Sequence, residues 1–322
     1  MFDTIIIGLG PAGMTAGIYA KRREMKTLII GKELGGQVIW ASEIENYPGF
    51  KSISNTDLIN KMYDQVKSLG AEIKMDEVAT IEPVYNNKNL EHFIVKTKKE
   101  KFLGKTVILT MGLAPRRLAI PGEEKFNGKG ISYCANCDGP FYKNKTVAVV
   151  GGGNAAFDAA EILSKISEKV YLIHRRQEFR AFEALINEVK NRDNIEMILD
   201  SEIEEIMGNE RVEGIKVINI KTNASQELKV DGIFIEIGRI AHTDLIADLV
   251  KRDEKGMIIV NNKFETSQEG IFAAGDVTPL KFKQITIACG QATVAALAAY
   301  QYLQLKQGGS VDKVLDRGKK ME

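Results

Sequence analysis

Apolar positions fall in short β-branched runs that end in glycine and pass into longer stretches of small residues. TIIIGLGPAGMTAGIYAKRR opens with an apolar run, Thr4–Ile7, crosses several glycines and continues as an Ala- and Gly-rich helix. TVAVVGGGNAAFDAAEILSK repeats that order from Thr146. A second apolar run follows each, KTLII at Lys26 and KVYLI at Lys169, so each segment reads as a complete βαβ unit. The first of these second strands is expected to end at Ile29-Ile30-Gly31.

Between and after the repeats the pattern changes. Residues 71–111 alternate through strand-like pieces (AEIKM, HFIVKT, TVILTM), and short strands and turns recur from Ile195 to Glu236. GIFAAGDV at Gly270 reads as a strand running into an acidic turn, followed by an apolar helix from Ile285. No third βαβ unit follows Gly238, so the last segment is expected to pack back onto the first domain. The expected fold class is α/β, with two Rossmann-like, three-layer dinucleotide-binding domains and the second inserted into the first. The boundaries place 1–113 and 245–322 in one domain and 114–244 in the other. The crossings near Gly112–Gly122 and Gly238–Thr243 contain Gly or Pro and read as hinges, and the tail ending DRGKKME is expected to fray.

A length of 322 residues agrees with two domains. Lys+Arg 44 against Asp+Glu 43 leaves a net charge of +1, which supplies no field for nucleic acid or an anionic membrane. The N-terminal stretch carries Asp3 and is broken by Gly8, Gly10, Pro11 and Gly13, unlike a signal peptide. Gly290 and Gln291 interrupt the apolar segment Ile285–Leu303, which reads as a buried helix and not a membrane span. A soluble, cytoplasmic protein is expected.

Gly8, Gly10 and Gly13 form a full GxGxxG between a strand and a helix. The first permits the turn, the second lets backbone approach a pyrophosphate, and the third lets helix and strand touch; Pro11 and Ala12 lie between them. The helix N-terminus then offers free N–H groups to phosphate. The bland alternative is an ordinary tight strand–helix turn. No acid closes the second strand, and Glu33 is the nearest substitute for a ribose contact. The second turn has Gly151, Gly153 and Ala156 in the glycine places, with Asn154 and Ala155 between. Its second strand ends in His174-Arg175-Arg176, with Arg180 beyond. Arginines where a carboxylate would bind a 2′-hydroxyl match a 2′-phosphate in charge and bidentate geometry, which points to NADPH. A solvated basic helix start is the plainer reading.

The chain has three cysteines, and Cys134 and Cys137 form one CxxC followed by Asp138. Zinc needs about four ligands, and neither Cys289 nor the histidines are spaced to supply them, so no metal is expected. The remaining readings are a buried thiol pair or a redox dithiol beside a flavin, the second fitting better. Asp138 is then a candidate proton donor or acceptor, or alternatively an N-cap. Cys289, on the apolar helix, reads as packing.

GLGPAG, GGQ followed by ENYPGF, YCANCDG, VVGGGNAA, HRRQEFRA and GIFAAGDV stand in an order and spacing that resembles the low-molecular-weight NADPH-dependent thioredoxin reductases of bacteria and archaea. The resemblance covers nearly the whole chain. It implies one FAD per subunit, a homodimer, and electron flow from NADPH to FAD, to a Cys134–Cys137 disulfide, and on to thioredoxin. It implies that Cys137 faces the flavin and that Cys134 attacks the partner's disulfide. Beside the first glycine turn it assigns FAD contacts to Gly35, Gly36, Gln37 and Asn46. It extends them to Val78 and Gly112, to Asp276 and Val277 of the GDV turn, and to Gln284 and Ile285. Departures are CANC in place of the commoner CATC, Ala155 where a hydroxyl residue is usual, and Gln291-Ala292 in the last helix. Two other functions share these motifs: a reductase of another dithiol partner, peroxiredoxin- or glutaredoxin-like, and a flavin/dithiol redox sensor. HRRQEFRA argues against the sensor, which has no need of a dedicated NADPH site.

Overall fold

The computed structural model describes residues 1–40 and 43–309, with Trp40 and Glu43 described by backbone alone. The tail expected to fray lies outside the described residues. The chain divides into two compact units, one of Met1–Val38, Thr56–Ala114 and Ala241–Glu322, the other of Ile39–Asn55 and Pro115–Ile240.

In the first unit the central strand Phe2–Leu9 pairs in parallel with Thr27–Leu34 on one side and Lys101–Leu109 on the other. Strand Glu72–Met75 extends the sheet in parallel. Beyond Lys101–Leu109 the partners split. Its first half pairs antiparallel with Asn89–Thr97, and Val107–Leu109 pair in parallel with Ile271–Ala273. A parallel strand covered on both faces should be apolar throughout, and Ile5, Ile6, Leu28, Ile29 and Ile30 are fully buried. Ile5, Ile7, Leu28 and Ile30 share one core cluster. On the other face Gly17 of helix Pro11–Arg22 lets the helix close on Ile29, whose Cδ1 lies 2.6 Å from where a Cβ would stand. Helix Ile285–Lys306 packs against Pro11–Arg22. Among the described residues no helix is long and apolar enough to cross a membrane.

Strand Thr27–Leu34 runs past the expected end at Gly31, with a register shift where Leu9 meets Leu34. The continuation is polar, Lys32 and Glu33, and both are exposed. Hydrophobicity marks only the covered part of a strand, so the extension carried no apolar signal. Glu33 therefore stands on the strand itself.

The second unit has a five-stranded parallel sheet in the order Ile131–Ser132, Gly232–Ile235, Thr146–Val150, Lys169–Ile173, Ile195–Ile198. Alternation sorts its residues to two faces: Ala148, Val150, Ile173 and Ile233 to one cluster, Val147, Val149, Leu172 and Phe234 to the other. The second face meets Ala156, Phe157, Ala160 and Leu163 of helix Asn154–Ser164. A separate antiparallel sheet, Ser201–Gly208, Val212–Asn219 and Ser225–Lys229, covers the first face. Both units are Rossmann-like.

Candidate active site

The first unit gathers a cradle around Gly10. Gly8 has φ +124°, and a Cβ on Gly13 would lie 1.9 Å from the Gly8 carbonyl oxygen, so protein contacts alone demand glycine there. Gly10 is different: a Cβ would meet nothing nearer than the Gly35 carbonyl at 3.8 Å. No protein contact requires glycine at this position. Pro11 opens the helix at a position with no N–H to lose, and no side chain caps the turn. The Gly35 N–H donates to the Leu9 carbonyl at 2.8 Å, which lays Gly35 and Gly36 across the same turn.

Gln37 Nε2 donates to Asp276 Oδ2 at 3.0 Å, and Gly112 lies beside the Gln37 amide. The GDV turn is fastened from below. Buried Gln291 accepts from the Gly275 N–H at 2.7 Å and from the Thr278 hydroxyl at 3.3 Å, while Lys283 Nζ donates to the carbonyls of Asp276 and Thr278. The residue noted as a departure in the last helix thus orders the acidic turn through its side chain. Gln284 is the N-cap of that helix and Ile285 its first residue. Val78 and Val277 are buried in the core, so only their backbones are available to a ligand. Asn46 is exposed, and its segment 39–55 belongs to the second unit. Cys289 Sγ lies 3.9 Å from the Pro11 carbonyl.

The second turn repeats the open middle glycine: a Cβ on Gly153 would meet nothing within 4 Å. Buried Ala156 fills the third glycine place. Two hydrogen bonds strap the arginine loop to this turn. The Arg180 N–H donates to the Gly152 carbonyl at 2.8 Å, and the Phe182 N–H donates to Asn154 Oδ1 at 2.8 Å. Asn154 thereby spends its acceptor on the loop and keeps its amide N–H groups. The His174 ring covers Gly152, and Nε2 pairs with the Glu178 carbonyl at 3.2 Å. Burial pushes His174 below the usual imidazole range, with Arg176, Arg175 and Arg180 adding to the effect against that hydrogen bond. Arg175 Nη1 stands 3.8 Å from Glu202, whereas among the described residues Arg176 and Arg180 enter no ion pair. Ala155 is exposed at the start of helix Asn154–Ser164.

Cys134 and Cys137 are joined by a disulfide at a Cα–Cα distance of 5.3 Å. Cys134 is the extended N-cap of a four-residue helical turn, Ala135–Asp138, and its carbonyl accepts from the N–H groups of Cys137 and Asp138. Asp138 does not cap the following turn with its side chain. Its Oδ2 accepts from the Ser132 hydroxyl at 2.6 Å, and Ser132 Oγ accepts from the Cys134 N–H at 3.1 Å. Ser132 therefore ties the carboxylate to the first cysteine, a link that no sequence spacing announces. Asp138 is 8% exposed, and its charge helps burial push the Tyr142 phenol up to about 12.

Tyr133, the residue before the dithiol, is fixed at both ends. Its hydroxyl donates to buried Glu123 at 2.9 Å and its carbonyl accepts from Arg239 at 3.2 Å. Glu123 also accepts from the Leu118 and Ala119 N–H groups, so three donors satisfy one buried carboxylate.

Residues 2–292 match the pyridine nucleotide-disulphide oxidoreductase family. The chain is similar to a 34.2 kDa protein in the rubredoxin operon of Clostridium pasteurianum, 40% identical over 94% of this chain and 97% of that protein. It is 38% identical to thioredoxin reductase of Treponema pallidum, over 95% of this chain and 98% of that one. Among solved structures it resembles thioredoxin reductase from Streptococcus pyogenes, with a TM-score of 0.87 at 38% identity, covering 95% of this chain and 99% of the other.

Proposed function

The chain belongs to the pyridine nucleotide-disulphide oxidoreductase family, and from that premise we propose that it is an NADPH-dependent thioredoxin reductase, a flavin disulfide oxidoreductase. The observation that carries the reading is a closed Cys134–Cys137 disulfide in the same unit as a dinucleotide turn bordered by arginines. When bound, FAD would supply the two-electron link between a nicotinamide hydride and that disulfide.

The open face of Gly10, with the N–H groups of Ala12 and Gly13, fits the FAD pyrophosphate. Glu33 fits a ribose; Gly35, Gly36, Gln37, Asp276 and the start of the last helix fit the remainder. In the second unit Gly151, Gly153 and the amide of Asn154 serve the NADPH pyrophosphate, and Arg176 and Arg180 serve the 2′-phosphate. Cys134, as thiolate, attacks one sulfur of the partner's disulfide; a mixed disulfide forms and the other partner sulfur leaves as thiolate. Cys137 then attacks Cys134 Sγ, closes the internal disulfide and releases the second partner sulfur. Asp138, linked to Cys134 through Ser132, is the group that holds or moves the thiol proton. A homodimer in the cytoplasm completes the reading, and the relatives' names favour thioredoxin over other dithiol partners.

Cys137→Ser tests it. The variant should form a covalent adduct with oxidised thioredoxin that survives without reductant, while Cys134→Ser should form none. Catalytic reduction of thioredoxin by Cys137→Ser would remove the CxxC from the exchange and overturn the proposal.

A further inference from the structure

A second carboxyl group, Glu236, stands at the end of the strand that pairs with the one leading into the dithiol. Glu236 follows strand Gly232–Ile235, next to the strand that feeds the Gly151 turn. Its N–H donates to the Val150 carbonyl at 2.9 Å, and its own carbonyl crowds Gly151, lying 2.5 Å from where a Cβ would stand. The backbone is thereby pinned at the dinucleotide turn. Parallel pairing of Ile131–Ser132 with Gly232–Ile235 sets Ser132 opposite Phe234, which carries Glu236, two residues on, to the level of Cys134, with the Ala135 N–H among the groups that act on its carboxyl. Ala135 is buried and directly follows Cys134.

The charges facing Glu236 come from neighbouring elements. Burial is the largest influence and disfavours the ionised form. Arg239 and the Ala135 N–H favour it, and Asp158 of helix Asn154–Ser164 opposes it. The balance leaves the carboxyl raised to about 7. Arg239 also donates to the carbonyl of Tyr133 at 3.2 Å, so the cation facing Glu236 grips the residue before Cys134 as well. The dithiol turn is thus held at the preceding carbonyl by Arg239 and at its far end by the Ser132–Asp138 pair, with Glu236 level with its start.

We propose that Glu236 is a positioning residue of the dithiol: its carboxylate holds the first N–H of the turn and, when ionised, disfavours a thiolate on the adjacent Cys134. The inference rests on the Cys134–Cys137 pair being the exchanging dithiol. A carboxylate here acts against the Cys134 thiolate twice over, by like charge and by occupying an N–H that would otherwise be free to face the sulfur. Protonation removes the charge. The site thereby moderates Cys134 as pH rises, where an unassisted thiol would steadily gain nucleophilicity, and it does so from a residue whose backbone also borders the NADPH turn.

The test is the pH dependence of Cys134 alkylation in the flavin-loaded protein, reduced chemically, freed of reductant and labelled with iodoacetamide, with labelling read at Cys134 by mass spectrometry. Glu236→Gln keeps an acceptor for the Ala135 N–H and loses the charge. Its rate should equal wild type near pH 6 and exceed it by about three- to tenfold at pH 8, since each unit in a thiol pKa is a factor of ten in thiolate. Glu236→Asp retains a carboxyl and should keep the wild-type shape, which separates charge from folding if the glutamine variant is unstable. A Glu236→Gln-to-wild-type ratio that stays constant from pH 6 to 8 would overturn the proposal, as would a Glu236→Asp profile that loses the wild-type shape. The measurement needs neither NADPH nor thioredoxin. A failed ratio beside normal thioredoxin turnover sinks this inference alone, whereas absent turnover sinks the function and leaves the alkylation result standing.

Discussion

The two dinucleotide turns share one βαβ frame and differ in what meets their glycines. In the first, Gly13 is forced by protein contact, because a Cβ would overlap the Gly8 carbonyl at 1.9 Å. In the second, the equivalent place holds Ala156, fully buried. The middle glycines behave alike: neither Gly10 nor Gly153 is crowded by protein, which is what a position facing pyrophosphate requires. Beyond the glycines the turns diverge again. The first is bordered by Gly35-Gly36, the Gln37–Asp276 pair and an exposed Glu33; the second by an arginine loop strapped down through Asn154 and Gly152. On the proposed function the shared motif serves dinucleotide binding, and the residues at the end of the next strand select between the two nucleotides.

The comparison can be broken most sharply at the glycines themselves. Gly13→Ala should destabilise the first unit by about 3 kcal/mol or more, since the clash is with backbone and no side chain can move aside. Gly10→Ala should leave the thermal midpoint of the flavin-free protein within a degree or two of wild type and still weaken flavin binding by at least about tenfold, or about 1.4 kcal/mol. Ala156→Gly should be the mild member of the set, about 1 kcal/mol from helix propensity. Equal loss of stability in Gly10→Ala and Gly13→Ala would erase the distinction between glycines required by protein and those required by ligand.

A smaller effect sharpens the arginine side. Arg176→Ala and Arg180→Ala should each lower kcat/KM for NADPH by about 1.5–3 kcal/mol, leaving NADH almost untouched. Arg175→Ala should lose less, because its guanidinium already stands 3.8 Å from Glu202. Steady-state kinetics with both nucleotides would show the order, and a dominant Arg175 would contradict it.

A further difference is expected in stability against pH. In the unfolded chain the Glu236 carboxyl titrates near 4.5, and in the folded protein near 7. The folded state holds the proton longer, so the contribution is fully present below pH 4.5, is lost as pH rises toward 7, and is constant above. Glu236→Gln should remove a pH-dependent loss of about 3 kcal/mol between pH 4.5 and 8, read as the difference between variant and wild type in urea unfolding. Parallel stability profiles for the two proteins would contradict the burial of that charge.

Much of the frame was legible in the sequence because its signals are local. Apolar runs ending in glycine gave both βαβ units, and Arg175, Arg176 and Arg180 stood out because charge at a strand end is unusual. What escaped is held by tertiary contacts that no local pattern encodes. Ser132 reaches Asp138 through a turn whose geometry no spacing encodes, Gln291 meets Gly275 from another element, and strand pairing brings Glu236 beside a dithiol turn about a hundred positions away. The end of strand Thr27–Leu34 was missed for a different reason: its last residues are exposed and polar, so burial left no mark on them. The grouping of 39–55 with the second unit follows from packing and not from composition.

The central claim is that the second turn, in the unit carrying the dithiol, takes NADPH and delivers its electrons to thioredoxin. The most direct measurement is thioredoxin reduction by the purified yellow protein, with NADPH and NADH compared under identical conditions. The account predicts turnover with NADPH at a kcat/KM at least about a hundredfold above NADH, the product of two charge-assisted contacts at the lower end of their range. Equal use of the two nucleotides, or a flavin that neither reduces, would contradict it.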